Sequence, residues 1–130
     1  MKMKLTFLTT LILLFSFACT SYDAFMTEYD NVSKETAQII DKEPNKGGLD
    51  KADEYLKAQT VMLKKKLAET TSCEVLKEQK KKYSPLLDTT SARFSDLGNK
   101  HTAISKEIGR FRTRMMVILV EHYRSADNCQ

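Results

Sequence analysis

Apolar residues recur at alternating spacings of three and four along most of the chain, which is the period of an amphipathic α-helix. The β-branched, turn-rich rhythm of a sheet protein is missing. A proline and glycine cluster at residues 43–48 predicts a loop, with Asp50 as the N-cap of the following helix. The apolar seam before the loop comprises Tyr22, Phe25, Tyr29, Val32, Thr36 and Ile39, and the seam after it comprises Leu49, Ala52, Leu56, Leu63 and Leu67, widened by Tyr55 and Met62.

The second half of the chain keeps one unbroken three-four register from residue 73 to residue 122. Two architectures produce such a register: one long helix bent at Pro85, or two helices joined by a turn at residues 98–101. Because Pro85 follows Ser84, a third helix that restarts there with Ser84 as its cap is an alternative to a kink. Most positions in the register are apolar, so they predict helix throughout this half.

The first eighteen residues have the build of a secretory signal peptide. Lys2 and Lys4 precede a run of mostly apolar residues that ends in small ones. This run is too short to span a bilayer, which takes about 20 apolar residues, and no other segment of the sequence approaches that length. The sequence therefore predicts a signal peptide at 1–18 and a single exported domain at 19–130.

The end of this segment also resembles the signal of bacterial lipoproteins, because the small residue Ala18 precedes Cys19. It departs from that pattern at Ser16 and Phe17. The resemblance implies a diacylglycerol and palmitate anchor on Cys19, with Thr20 favouring delivery to the outer membrane. We therefore expect a lipoprotein of the cell envelope or periplasm, and a soluble secreted protein is the alternative.

The remaining cysteines favour the hairpin over the bent helix. Cys73 and Cys129 lie equally far in sequence from His101, so a turn near His101 would bring both cysteines to one end of two antiparallel helices. A continuous helix, rising about 1.5 Å per residue, would keep them tens of ångströms apart. If Cys19 carries lipid, the remaining even pair in an exported chain predicts a disulfide, and a free thiol pair or a metal site is the alternative. Gly98 is expected to end the third helix in a left-handed turn. The predicted fold is an all-α antiparallel bundle of three or four helices, stapled by one disulfide.

Charge is distributed unevenly, although the net charge is only +4. The front half is acidic and the back half basic, which predicts either that the two halves pack against each other or that a basic surface meets anionic lipid. The modest net charge of an exported chain argues against nucleic acid. Two basic triplets are the candidate anionic-surface residues, and their alternative interpretation is a solvated helix face. They are Lys64, Lys65 and Lys66, and Lys80, Lys81 and Lys82.

Catalytic chemistry has little support in the sequence. His101 and His122 are the only histidines, and both lie on the apolar seam, where a structural role is expected. No spacing typical of a metal site, a phosphate loop or a paired-carboxylate site is present. We therefore expect no catalytic residue, no metal, no cofactor and no small-molecule substrate.

The run at residues 115–120 is apolar on every side of its helix. Such a helix is usually central to its bundle, and an interface with a second protein or another copy is the alternative. The leading hypothesis is a non-enzymatic protein-binding or structural module of the envelope. The alternatives are a lipid- or glycolipid-binding module that uses its basic end, and an enzyme whose chemistry the sequence does not reveal.

Overall fold

The computed structural model describes residues 21–69 and 73–127, with side chains for 24–67 and 84–121. The described chain is all-helical, which confirms the predicted class. None of its helices is both long enough and apolar enough to cross a membrane. The elements are α1 (Ser21–Lys42), α2 (Lys46–Glu69), α3 (Cys73–Lys100), a 3-10 turn (Thr102–Ile104) and α4 (Ser105–Asp127).

The four helices form two antiparallel hairpins. In the first hairpin, Glu28 near the start of α1 bonds Lys66 near the end of α2. In the second, Arg112 of α4 donates to Ser95 of α3. Both turns lie at one end of the bundle, because Asp41 beside the first turn bonds Lys100 beside the second. We call this the turn end and the opposite end, where α1 begins and α4 ends, the open end.

The two hairpins pack with α1 beside α3 and α2 beside α4, and the helices of each such pair run parallel. Asp30 of α1 meets Arg93 of α3, and further along both helices Asp41 meets Lys100. Residue numbers rise together along α2 and α4 in the same way, from Asp53 with Arg114 to Lys64 with Glu121. Each helix is therefore antiparallel to its hairpin partner and parallel to its neighbour in the other hairpin.

The second hairpin is the architecture that the cysteine spacing favoured, and the single bent helix is excluded. The predicted left-handed turn at Gly98 is wrong, however. The third helix continues through Gly98 to Lys100, and no described residue has a positive φ. The chain turns instead at His101 (φ −120°, ψ 70°), whose N–H donates to Leu97 O at 3.0 Å. An extended residue followed by a 3-10 turn reverses the chain without left-handed backbone.

The first turn is shorter than predicted, and Asp50 is not its cap. The second helix begins at Lys46, before the glycine pair, and Asn45 is its N-cap. The side-chain oxygen of Asn45 accepts the Gly48 N–H at 3.2 Å, which satisfies one of the unpaired N–H groups of the first turn. Gly48 approaches the carbonyl oxygen of Glu43 so closely that a Cβ would overlap it. Glycine therefore permits the close approach on which the short turn depends.

Pro85 lies inside α3 and does not start a new helix. The Ser84 cap that a restart would need is thus not used. Thr89 Oγ1, four residues on, donates to Pro85 O at 2.8 Å. Proline removes one hydrogen bond of the helical ladder, so α3 is continuous at the expense of one bond.

The core contains nearly all of the predicted seam. Ile40 is fully buried where Ile39 is only half-buried, and Met62, expected to widen the second seam, is exposed instead. Tyr22 belongs to α1, but its side chain lies outside the described residues. The largest fully buried side chains are Tyr29, Phe25, Phe94, Ile40, Leu56, Leu63, Ile108, Met115, Leu119 and Val32.

Tyr29 joins α1 to α4 through the middle of this core. Its hydroxyl donates to Met115 O at 2.7 Å, and both side chains are fully buried. Burial raises the pKa of the Tyr29 phenol far above its usual value, so the proton that makes this bond stays in place. The bond links helices of different hairpins.

The apolar run of α4 is divided between the core and the surface. Met115, Ile118 and Leu119 are buried, as the central-helix interpretation predicted, whereas Val117 and Val120 face outward. Four helices enclose a core on one face of each, so a helix that is apolar all round leaves part of its surface uncovered. Val117 and Val120 are therefore left on the surface of the bundle.

Candidate functional site: the groove between α2 and α4

The parallel pair α1 and α3 is bridged by a polar cluster. Both terminal nitrogens of Arg93 lie 3.2 Å from Asp30 Oδ1, and one also donates to Ser33 Oγ at 2.7 Å. The Ser33 side chain is fully buried, and Lys34 approaches the other oxygen of Asp30 at 3.0 Å. Burial alone would raise the pKa of Asp30, but hydrogen bonds from Lys34 and Arg93 outweigh it and hold that pKa below its usual value.

His101 takes part in a second polar cluster at the turn end. Its Nε2 lies 2.7 Å from Asp41 Oδ1, and Lys100 Nζ approaches the same oxygen at 2.9 Å. The hydrogen bond to His101, followed by the one from Lys100, lowers the pKa of the Asp41 carboxyl. A cavity of about 380 Å³ lies beside this cluster. The charged residues on its walls already have partners on the facing helix, because Asp41 pairs with Lys100 and Arg93 pairs with Asp30. We therefore regard the α1–α3 side as structural.

A different arrangement separates α2 from α4. A cavity of about 540 Å³ opens between them near the turn end. Its apolar wall is formed by Leu49 of α2, Ile104 of the 3-10 turn and Phe111 of α4. The charged residues at its rim are Lys46, Asp50, Asp53, Glu107, Arg110 and Arg114.

A second cavity of about 310 Å³ continues toward the open end. It shares Arg114 with the first cavity, so the two lie next to each other, and we call them together the α2–α4 groove. Hydrophobic surface continues into this part through Val117 and Ile118. Its polar lining comprises Lys57, Thr60, Lys64, Thr113 and Arg114.

Arg114 bridges the groove near its middle. Its guanidinium donates to Asp53 Oδ1 across the groove at 2.6 Å and lies 5.2 Å from the centre of the Phe111 ring. Lys57 approaches the other oxygen of Asp53 at 3.0 Å, and its hydrogen bond, with that of Arg114, lowers the pKa of Asp53. By contrast, Arg110 on the rim makes no ion pair with any residue that the structure describes.

Among the described residues, the large hydrophobic side chains that are 36% or more exposed all belong to α2 and α4, the two helices that flank the groove. They are Val61 (69%), Met62 (52%), Val117 (44%) and Val120 (36%). A concentration of apolar surface on one pair of helices is typical of a contact surface.

The first basic triplet does not form a single patch. Lys64 points toward α4, 3.9 Å from Glu121, whereas Lys66 points toward α1 and bonds Glu28 at 3.0 Å. Lys65 is exposed between them. Three consecutive residues of a helix point about 100° apart, so a triplet is divided among three directions wherever the helix has neighbours on both sides. Only Lys64 lines the groove.

Several predicted site residues lie outside the part of the chain that the structure describes. This holds for Cys19 and Cys129, and for the side chains of Cys73, His122 and the second triplet, Lys80, Lys81 and Lys82. The lipid anchor and the disulfide thus stay predictions. Where side chains are described, no group of three or more histidine, cysteine, aspartate or glutamate residues is placed to hold a metal ion.

Sequence reasoning did not find the groove itself. The signal that could have indicated it is the out-of-phase pairs Val61 and Met62, and Val117 and Val120, which interrupt the polar faces of α2 and α4. The groove combines an apolar floor with a charged rim, which is the composition of a docking surface. Of the four exposed hydrophobic side chains, Val117 is the one that lines it. No known protein family, curated protein or solved structure matches the chain.

Proposed function

We propose that this domain is a non-enzymatic protein-binding module, which binds its partner along the α2–α4 groove. The observation that carries the proposal is that, among the described side chains, the exposed large hydrophobic ones all belong to the two helices that border the groove, and that one of them, Val117, lines it. A stable contact needs apolar surface that water leaves on binding, at about 25 cal/mol per Å². This side of the bundle supplies such surface.

The extent of the groove suits a helical partner segment. It runs from Lys46 to Lys64 along α2, which is roughly 27 Å at a rise of 1.5 Å per residue. That length accommodates about five turns of a docked helix. A helix lying between two parallel helices can place residues spaced at i, i+3, i+4 and i+7 on the apolar floor.

His101 has a structural contact at the turn end of the bundle. A histidine and an aspartate act catalytically when a nucleophile or a substrate proton is within hydrogen-bond reach of the ring. Among the described side chains, His101 is bonded to Asp41 and to no hydroxyl. The pair lies at the turn end, where it joins α1 to the second hairpin.

Export and anchoring complete the proposal and rest on the sequence. Residues 1–18 have the features of a signal peptide, and Cys19 has those of a lipid-acceptor cysteine of an outer-membrane lipoprotein. A Cys73–Cys129 disulfide is consistent with an oxidising compartment. Intact mass of the protein from host membranes, before and after reduction, tests the anchor and the disulfide together. An unacylated chain whose mass does not change on reduction would contradict both.

Photo-crosslinking tests the docking surface. A photoreactive amino acid replaces Val117 at the groove and, as a matched control, Asn31, which is exposed on α1. We expect Val117 to give one protein adduct in host cells and Asn31 to give none. Excess purified wild-type domain should compete for the adduct, and the Val117→Glu variant should not, because a carboxylate disfavours burial of that position.

Equal crosslinking from Val117 and Asn31, or competition by the Val117→Glu variant as strong as by wild type, would contradict docking in the groove. Val117 is 44% exposed, so its replacement should leave the fold intact. Circular dichroism of both variants checks this directly.

A further inference from the structure

The groove carries more positive than negative charge. Five cationic side chains line its two cavities, against three carboxylates. The carboxylates all belong to the cavity near the turn end. The cavity near the open end is lined by Lys57, Lys64 and Arg114, with no carboxylate among its described lining residues.

Among the described residues, the carboxylates leave some of these cations without a close partner of their own. Asp53 is shared between Arg114 and Lys57, so one carboxylate serves two cations. Lys64 lies 3.9 Å from Glu121, which is too long for a hydrogen bond. Arg110 has no ion pair with any described residue. The groove therefore has room for further carboxylates at its rim.

Resting on the protein-binding function above, we propose that the partner segment is an acidic amphipathic helix of a different protein. Its apolar side chains contact Leu49, Ile104 and Phe111 on the floor. Its carboxylates lie against Arg110 near the turn end and against Lys57 and Lys64 near the open end. Complementary charge of this kind accelerates encounter and excludes basic competitors.

A second copy of this chain is a poorer occupant of the groove. A twofold dimer would place the same surface on both sides, so the cations of one groove would face those of the other. The acidic helix of the chain is α1, with five carboxylates and two lysines. Within its described part, however, α1 has no exposed large hydrophobic side chain to reach a groove floor.

A set of three matched peptides tests the charge of the partner. Each is a helix of about 16 residues with the same leucines at i, i+3, i+4 and i+7 positions, and with glutamate, glutamine or lysine at the flanking positions. Binding to the purified protein is measured by fluorescence anisotropy. We expect the glutamate peptide to bind about tenfold more tightly than the glutamine peptide, and the lysine peptide to bind more weakly than either.

Charge reversals on the protein locate the contact. Arg110→Glu and Lys64→Glu should each weaken the glutamate peptide about fivefold or more and strengthen the lysine peptide. Lys106→Glu and Lys65→Glu are the matched controls, since both residues are exposed on the same helices and line neither cavity. The controls should change binding by less than about twofold, because charges farther away are screened by salt.

Four outcomes would overturn the acidic partner. The first three are equal binding of the three peptides, equal loss from the control reversals, and self-association that Arg110→Glu strengthens while no peptide binds. Binding to anionic phosphatidylglycerol vesicles that Lys64→Glu weakens, without peptide binding, would overturn it in favour of lipid. If the three peptides bind equally but Val117 still gives a protein adduct, the acidic partner is wrong and the protein-binding function stands. If Val117 gives no adduct, both the acidic partner and the protein-binding function are wrong.

Discussion

The two contacts between the hairpins are built from similar charged residues and yet differ in kind. On the α1–α3 side, Arg93 is 19% exposed and bonds Asp30 together with the buried hydroxyl of Ser33. On the α2–α4 side, Arg114 is 36% exposed and bonds Asp53 above an open apolar floor. Arg93 is therefore the more enclosed of the two, and Arg114 bridges the α2–α4 groove.

Both sides have a cavity, of about 380 Å³ between α1 and α3 and of about 540 and 310 Å³ between α2 and α4. Only the second side, which we call the open side, also carries exposed large hydrophobic residues on the described parts of its helices. Polar side chains that reach across α1 and α3 leave no exposed large hydrophobic residue on the described parts of those helices. The open side keeps both its cavities and its exposed valines. Stability and binding are thus assigned to different helix pairs, and substitutions should separate the two properties.

The largest expected effect is the loss of Arg93. Arg93→Met should lower the free energy of unfolding by about 2 kcal/mol, because Asp30 and the buried Ser33 hydroxyl lose their charged partner. Arg114→Met is the matched control on the open side, with an expected loss of less than about 1 kcal/mol, since its pair is more exposed. Urea unfolding followed by circular dichroism measures both. Equal losses would mean that the two sides contribute alike.

A smaller effect is expected from the bond between Tyr29 and the Met115 carbonyl. Tyr29→Phe should lower stability by about 1 kcal/mol, because it removes one buried hydrogen bond and keeps the ring. Tyr55→Phe, at a half-buried tyrosine of α2 whose hydroxyl has no hydrogen bond to a described residue, should change stability little. The same unfolding measurement applies. No loss in Tyr29→Phe would show that α4 does not depend on this contact with α1.

The smallest effect should appear in acid. Asp30 and Asp53 both have a lowered pKa in the folded protein, so each adds stability above its unfolded pKa of about 4, and that stability is lost as pH falls through the folded value. Unfolding by urea at a series of pH values should show wild-type stability falling below about pH 5. Asp30→Asn should reduce this fall more than Asp53→Asn, because solvent screens the more exposed Asp53. A larger reduction from Asp53→Asn would reverse the comparison.

Helix positions and the core were accessible from the sequence because both depend on local periodicity. Tyr29, Leu56, Phe94 and Met115 were placed on apolar seams by spacing alone, and all four are buried. The hairpin was also predictable, since Cys73 and Cys129 could meet only if the chain reversed between them. Such inferences use chain geometry and need no knowledge of which helix lies beside which.

The details of the turns were less accessible. Asp50 and Asn45 are both good N-cap residues, and the choice between them depends on how closely Gly48 can approach Glu43. Gly98 is the usual residue for a left-handed helix end, but an extended His101 that bonds Asp41 ends the helix instead. These choices are made by contacts between segments that are distant in sequence.

The sequence by itself determined that this protein is helical and where its apolar seams lie, because a helix repeats every 3.6 residues whatever surrounds it. Tertiary structure decided which faces stay uncovered. Val117 and Lys64 line one groove only because α2 lies beside α4. The Asp53–Arg114 bridge crosses that groove. Which helices become neighbours depends on the packing of the whole core, and a periodic sequence pattern carries no information about it.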